Sequence, residues 1–246
     1  MKFILLLLAL PMWAAASEKI ALDRLPVAPD MQTSLQRGAR NFVNHCLNCH
    51  GAAYFRYSKL QDIGLTEQQI RDNLMFTTDK IGETMKMALD AKGAKAWFGV
   101  APPDLSAPDL SVIARSRGTD WLYTYLRSFY RDDSHPSGWN NLVFPSVAMP
   151  HVLYDLQGEQ VLELKQIPAA HGEAGHVEKS LKLTKAGSLT AAEYDNYVRD
   201  TVNFLSYIAE PIKETRFRMG IVVVFFLTLL FFVMLGLKNQ IWKDVK

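Results

Sequence analysis

The chain has 246 residues, 49% of them apolar and 21% charged, enough for one sizeable globular core or two small ones. Its formal net charge of +2 is close to neutral for this size, which excludes a partner recruited by bulk charge, nucleic acid above all. Any functional charge must be local.

Residues 1–16 read as a secretory signal peptide. Lys2 supplies a basic start, residues 3–10 an apolar stretch, and Ala14-Ala15-Ala16 the small residues of a cleavage site, so the mature chain begins near Ser17. The apolar stretch is too short to be an anchor, which needs about 20 residues. Residues 31–45 carry Leu35, Ala39, Phe42 and Val43 at helical spacing and predict an amphipathic helix, with Gly38 on the same face for close approach of a second helix. That helix runs into Cys46-Leu47-Asn48-Cys49-His50, the spacing of c-type haem attachment. Two thiols three positions apart on one turn can each add to a haem vinyl group, and the next residue then points its imidazole at the iron. A zinc site would need further ligands, but Cys46 and Cys49 are the only cysteines. A redox pair would need a βαβ context, whereas the segment upstream is helical. A plain disulfide is compatible with export, but export also places the chain where haem c is attached.

Further along, residues 66–73 predict a helix capped by Thr66, with Glu67 and Gln69 in its first turn, and residues 84–89 predict part of another. Pro102-Pro103 forces an extended loop whose backbone is positioned to accept the second imidazole proton of His50. Arg115 or Arg117 is the candidate partner of a haem propionate. Residues 120–130 return to a helical period with Trp121, Leu122, Tyr125, Leu126 and Phe129 facing inward. Residues 131–150 read as a long loop, ordered by Trp139, Leu142, Val143, Phe144 and Val147. Candidates for a sixth iron ligand are Met75, Met85, Met87, Met149, His45, His135 and His151. Met149 is favoured, because it lies in that loop between Pro145 and Pro150, whereas Met85 and Met87 read as packing within the predicted helix.

Alternation within residues 153–183 predicts a small β-hairpin insertion. Thr190 then caps a helix to about Ile208, with Glu193 completing a capping box, and Glu210-Pro211 ends it. Residues 220–237 contain no charge and are just long enough to cross a bilayer. Arg216 and Arg218 precede the run, and Lys238, Trp242, Lys243 and Lys246 follow it. With the signal peptide, this gives a domain at residues 17–215 outside the membrane, a span at 219–238 and a cytoplasmic tail at 239–246. No internal repeat is apparent at this level.

Several of these blocks occur in one order: Gly38-Ala39-Arg40-Asn41-Phe42 before the cysteines, Pro102-Pro103-Asp104-Leu105-Ser106 before Arg115-Ser116-Arg117, and Ala148-Met149-Pro150. Ala209-Glu210-Pro211 and Arg216-Phe217-Arg218-Met219-Gly220 close the set. In this the chain resembles the cytochrome c1 family, the haem c subunits of quinol:cytochrome c reductase (bc1) complexes. The resemblance implies a mainly α, cytochrome c-like haem domain with loop and small β-hairpin insertions and one C-terminal transmembrane helix. It implies one haem c held by Cys46 and Cys49, ligated by His50 and Met149, with Arg117 at a propionate. It also implies cytochrome b and a Rieske iron-sulfur protein as partners in a dimeric complex, with electrons leaving to a cytochrome c on the periplasmic side of the inner membrane. Two other classes fit the motif alone: a tethered cytochrome outside such a complex, and a haem enzyme or gas sensor with an open sixth position.

Overall fold

A computed structural model describes residues 20–98, 107–167 and 176–244. The expected signal peptide and the Pro102-Pro103 block therefore lie outside the described residues. Helices dominate, and the strands form three separate two-stranded antiparallel sheets among the described residues.

Helix α1 (Met31–His45) opens on Asp30, whose side chain accepts from the Gln32 amide, and ends directly on the first cysteine. Its apolar face meets α7 (Ala191–Ala209), which opens on the capping box of Thr190 and Glu193. Gly38 makes the crossing possible: a Cβ there would run into the Asp200 carbonyl and the Phe204 side chain. Phe42 packs on Phe204 with ring centroids 5.7 Å apart, and Asn41 donates to Thr201 at 3.1 Å. Asp200, nearly closed off from solvent, accepts from Ser34 at 2.6 Å and pairs with Arg37 and Arg199. Burial works against that carboxylate, but the three donors prevail and hold its pKa below the ordinary value.

Strand β1 (Ala52–Arg56) leads into a 3₁₀ turn over Tyr57–Ile63 and then α2 (Glu67–Leu74), which has the capping box of Thr66 and Gln69. The segment predicted as helix over 84–89 is different. Thr84–Met85 forms β2, pairing Met85 with Ala52 and Thr84 with Arg56 across some thirty residues of sequence. Met85 is fully buried. After α3 (Ala91–Phe98), α4 (Ile113–Arg117) and α5 (Thr119–Arg127) form a corner against α7, fixed by Arg127 on Asp195 at 2.6 Å and by Tyr194 donating to the Leu126 carbonyl at 2.8 Å.

The long loop over 131–150 also holds regular structure: β3 (Phe129–Arg131) pairs with β4 (Trp139–Asn141). Tyr125, Phe129, Trp139 and Val147 make a second, smaller core beside the main one, with Trp121 and Leu126 packed against both. A short α6 (Tyr154–Gln157) leads into the long hairpin of β5 (Gly158–Ile167) and β6 (His176–Ala186), where the insertion was predicted. Helix α8 (Lys213–Ile241) has mean hydropathy 2.9 over its most apolar stretch and no buried residue, and it is long and apolar enough to cross a membrane. Its 29 residues span about 43 Å at 1.5 Å each, so it extends beyond the predicted span at both ends.

Candidate functional site

Two groups of side chains carry the candidate chemistry. The first is the turn that ends α1. Cys49 and His50 both donate their amides to the Cys46 carbonyl, at 3.1 and 2.8 Å, which winds the motif into one tight turn. The two thiols are not joined to each other, and both side chains are partly exposed. Burial of the Cys46 sulfur pushes its thiol up to about 12 and raises Cys49 as well, so neither free thiol is an activated thiolate of the kind a redox nucleophile requires.

His50 Nδ1 lies 2.8 Å from the Pro108 carbonyl oxygen. As donor to that carbonyl, Nδ1 keeps the proton and Nε2 keeps a free lone pair, with no hydrogen-bond partner among the described residues. Desolvation lowers the imidazole's pKa, against smaller opposing effects of Pro108 and Asp109, so the ring stays neutral and able to ligate. The carbonyl expected from the Pro102-Pro103 loop is thus supplied by Pro108, while Pro103 itself lies outside the described residues. The physical reason is a short tandem repeat: Ala-Pro-Asp-Leu-Ser occurs at 107–111, immediately after Pro-Asp-Leu-Ser at 103–106. The second copy is built into the site. Asp109 accepts from the Ala53 amide at 2.8 Å and from the Ser111 amide at 2.9 Å. Ser111 accepts from the Tyr54 amide at 3.0 Å, and Leu110 donates to the Gly51 carbonyl at 2.8 Å. Gly51 admits this segment: a Cβ there would stand 3.2 Å from Asp109 Oδ2 and 3.3 Å from the Met87 amide.

The second group begins at Arg117, 67 residues after His50. Arg117, Trp121, Tyr125 and Phe129 recur every fourth residue and form a ladder. The Arg117 guanidinium sits 5.2 Å above the Trp121 ring and 5.7 Å from that of Phe144. Trp121 stacks on Tyr125 at 4.8 Å, and Tyr125 meets Phe129 edge-on at 5.1 Å. No carboxylate among the described residues pairs with Arg117, whose side chain is exposed and open to an anionic ligand. Met149 packs on this ladder, with its sulfur 3.4 Å from the Tyr125 hydroxyl.

Of the other candidates for the sixth position, Met85 and His151 are buried, His45, His135 and Met75 are engaged elsewhere, and Met87 is half-buried. His45 Nδ1 is 2.8 Å from the Tyr197 hydroxyl, His135 Nδ1 is 3.0 Å from Ser137, and Met75 caps α2 against the main core. Met87 lies on the cysteine side, where the next two amides donate to the carbonyls of Leu47 and Asn48. His151 stacks flat on Phe129 at 4.9 Å with neither ring nitrogen hydrogen-bonded, and burial pushes its pKa down to about 4, so it serves as a neutral aromatic plate. Sequence reading missed Asn141, which has no exposed surface and organises the Met149 loop. Its Oδ1 accepts from the amides of Val143 (2.9 Å) and Phe144 (3.1 Å) and from Ser128 (3.2 Å), and its Nδ2 donates to the Tyr125 carbonyl (2.8 Å).

A cysteine pair followed directly by a histidine whose Nδ1 is held by a backbone carbonyl, in a chain that also carries a thioether on an aromatic ladder and an arginine with no carboxylate partner among the described residues, has the parts of a c-type cytochrome. Residues 30–162 and 185–245 match the model of the cytochrome C1 family. A cytochrome c1 from Allochromatium vinosum is 46% identical over 215 residues, covering 87% of this chain and 85% of the relative. The chain belongs to the cytochrome c1 family, and haem c is its cofactor. A protein named ammonia monooxygenase gamma subunit, from Nitrosomonas europaea, is 47% identical over 250 residues, 99% of this chain and 98% of its own. A mitochondrial relative from Arabidopsis thaliana, named a heme protein, is 27% identical over 224 residues, 80% of this chain and 62% of its own. The family match skips residues 163–184, most of the β5–β6 hairpin.

Proposed function

We propose that this chain is the electron-transfer subunit of a bc1-type complex, taking one electron from a Rieske iron-sulfur protein and passing it to a cytochrome c. The observation that carries the reading is the His50 turn: a Cys-x-x-Cys-His motif whose imidazole is held through Nδ1 by Pro108, within a chain of the cytochrome c1 family. Cys46 and Cys49 would hold the haem, His50 and Met149 would ligate its iron, and Arg117 would meet a propionate. When bound, the haem supplies a one-electron ferric/ferrous couple. With His50 and Met149 both engaged, the site would offer no open position for oxygen or peroxide chemistry.

The residues of the chain do the rest. Pro108 fixes the tautomer and plane of His50, the ladder excludes water beside Met149, and Arg117 offers a forked cation to a carboxylate. The chain performs no bond chemistry of its own. Residues 1–16 are removed on export, the domain at 17–215 lies on the periplasmic face of the inner membrane, and the span at 219–238 leaves residues 239–246 in the cytoplasm. Cytochrome b is the partner of the span in a dimeric complex.

The test is a reduced-minus-oxidised spectrum of the tagged protein purified from its own membranes in mild detergent, together with quinol-driven reduction of cytochrome c. Co-purifying b haem and quinol-dependent activity are expected. Haem c alone, after solubilisation that preserves other complexes, would replace this reading with that of a tethered carrier. Co-purification with an ammonia monooxygenase instead would transfer to this chain the role that the Nitrosomonas europaea relative's name suggests.

A further inference from the structure

The Tyr125 hydroxyl is a nearly buried phenol that reaches no carbonyl or carboxylate among the described residues. A buried tyrosine ordinarily finds a strong acceptor. Its contact is instead the Met149 sulfur, 3.4 Å away, a weak acceptor. The ring has no freedom to turn elsewhere, being stacked on Trp121 at 4.8 Å and wedged edge-on against Phe129 at 5.1 Å. The backbone below it is fixed as well, since the Tyr125 carbonyl accepts from Asn141 at 2.8 Å. The same pair of asparagines sets the Met149 loop: Asn140 accepts from the Ser146 amide at 2.8 Å, and Ser146 takes the left-handed backbone, φ 59°. Phenol and thioether are therefore placed by one scaffold, from two elements 24 residues apart.

We propose that Tyr125 is a positioning and tuning residue for the Met149 thioether, its hydroxyl donating to one sulfur lone pair and leaving the other for the iron. This rests on the reading of Met149 as the sixth ligand. A methionine side chain has three rotatable bonds and no intrinsic direction, so a fixed donor selects the rotamer that aims the free lone pair. Donation also withdraws electron density from the sulfur. The ferric state depends more on that density than the ferrous state does, so the contact raises the reduction potential.

The test compares full-length holoprotein in detergent carrying Tyr125→Phe, Met149→Leu or Tyr123→Phe, read by potentiometry, by the weak far-red absorbance of methionine-ligated ferric haem, and by carbon monoxide binding to the ferrous form. Tyr125→Phe removes one oxygen and no packing. Its one-electron equilibrium is expected to move threefold to tenfold toward ferric, the upper figure being about 59 mV. The far-red band should persist at a shifted position. Loss of that band with carbon monoxide binding, haem still attached, would show the hydroxyl holding the ligand in place and supports the same assignment. Tyr123→Phe, on the same helix but turned toward Arg127, should leave potential and band unchanged; an equal shift there would overturn the assignment. A Tyr125→Phe protein with unaltered potential and band would also overturn it. Met149→Leu separates the two claims. If it keeps the band, the ligand assignment itself is wrong; if it abolishes the band while Tyr125→Phe is silent, only the role of Tyr125 fails.

Discussion

The two flanks of the site are built on opposite principles. On the His50 side, the proposed ligand and the proposed attachment cysteines are contiguous in one turn at the end of α1, and the helix that carries them is locked to α7 through Gly38, Phe42 and Asp200. On the Met149 side, the thioether rides on an irregular loop, and its place is set by side chains: Asn140, Asn141 and Tyr125, each from a different position along the chain. The first flank is fixed by local sequence and core packing. The second is fixed by a hydrogen-bond network. A ligand held by covalent proximity tolerates loss of a neighbour; one held by a network does not. The Met149 side should therefore fail first under mutation.

The largest effect is expected at Asn141. Truncation to Ala strands the Val143 and Phe144 amides beside a buried hole, while the Ser128 hydroxyl and the Tyr125 carbonyl each lose one bond but keep each other as partners. Each buried group left without a partner costs about 1–3 kcal/mol, and some of these will find water, so a loss of about 2–4 kcal/mol is expected. Denaturant unfolding of the detergent-solubilised holoprotein measures it, and carbon monoxide binding reports the freed sixth position. An Asn141→Ala protein as stable and as closed to carbon monoxide as the parent would erase the contrast between the flanks.

The same contrast governs what could be read from sequence. Helices α1, α2 and α7 were legible because caps and 3.6-residue periodicity are local, and Gly38 was legible as a close-approach residue because it shares the apolar face of α1. Thr84–Met85 was not, since its partner strand lies some thirty residues earlier and a two-residue strand carries no period. The pairing of β3 with β4 was hidden by polar composition. In the site, the Cys46 to His50 turn was plain, but its supporting carbonyl was assigned to the first of two Pro-Asp-Leu-Ser copies. Spacing to Arg117 was a signal that favours the second copy, because Pro108 leads straight into α4. Asn141 and the Tyr125 hydroxyl had no signature: an amide in a loop reads as solvated until the fold shows it buried.

An intermediate effect is expected at Asp109, the anchor of the Pro108 segment. Its carboxylate receives two backbone amides, those of Ala53 and Ser111, yet it is exposed to water that can replace it. Asp109→Ala is expected to cost about 1–2 kcal/mol. The iron–histidine bond should survive, because the adjacent thioethers keep His50 in place. The prediction is a lower unfolding midpoint with the far-red band intact and no carbon monoxide binding. Ligand loss here as complete as in Asn141→Ala would mean that the two flanks are equally fragile.

The smallest effect sharpens the contrast through pH. Asp132 sits at the base of the Met149 loop, accepting from Ser134 at 2.5 Å and from Asn140 at 2.9 Å, the residue that holds Ser146. These donors, Ser134 first, lower its pKa below the ordinary carboxylate value. A lowered folded-state pKa means that the ionised carboxylate stabilises the loop above the unfolded value of about 3.9, and that this contribution fades as pH falls through the folded value. Asp132→Asn lacks it at every pH. Compared by acid titration of the far-red band, the parent should hold Met149 slightly better than Asp132→Asn at neutral pH, and the difference should close below about pH 4. A difference that persists unchanged into that range would place the anchoring in the shape of the side chain rather than in its charge, and would make the Met149 flank a matter of packing after all.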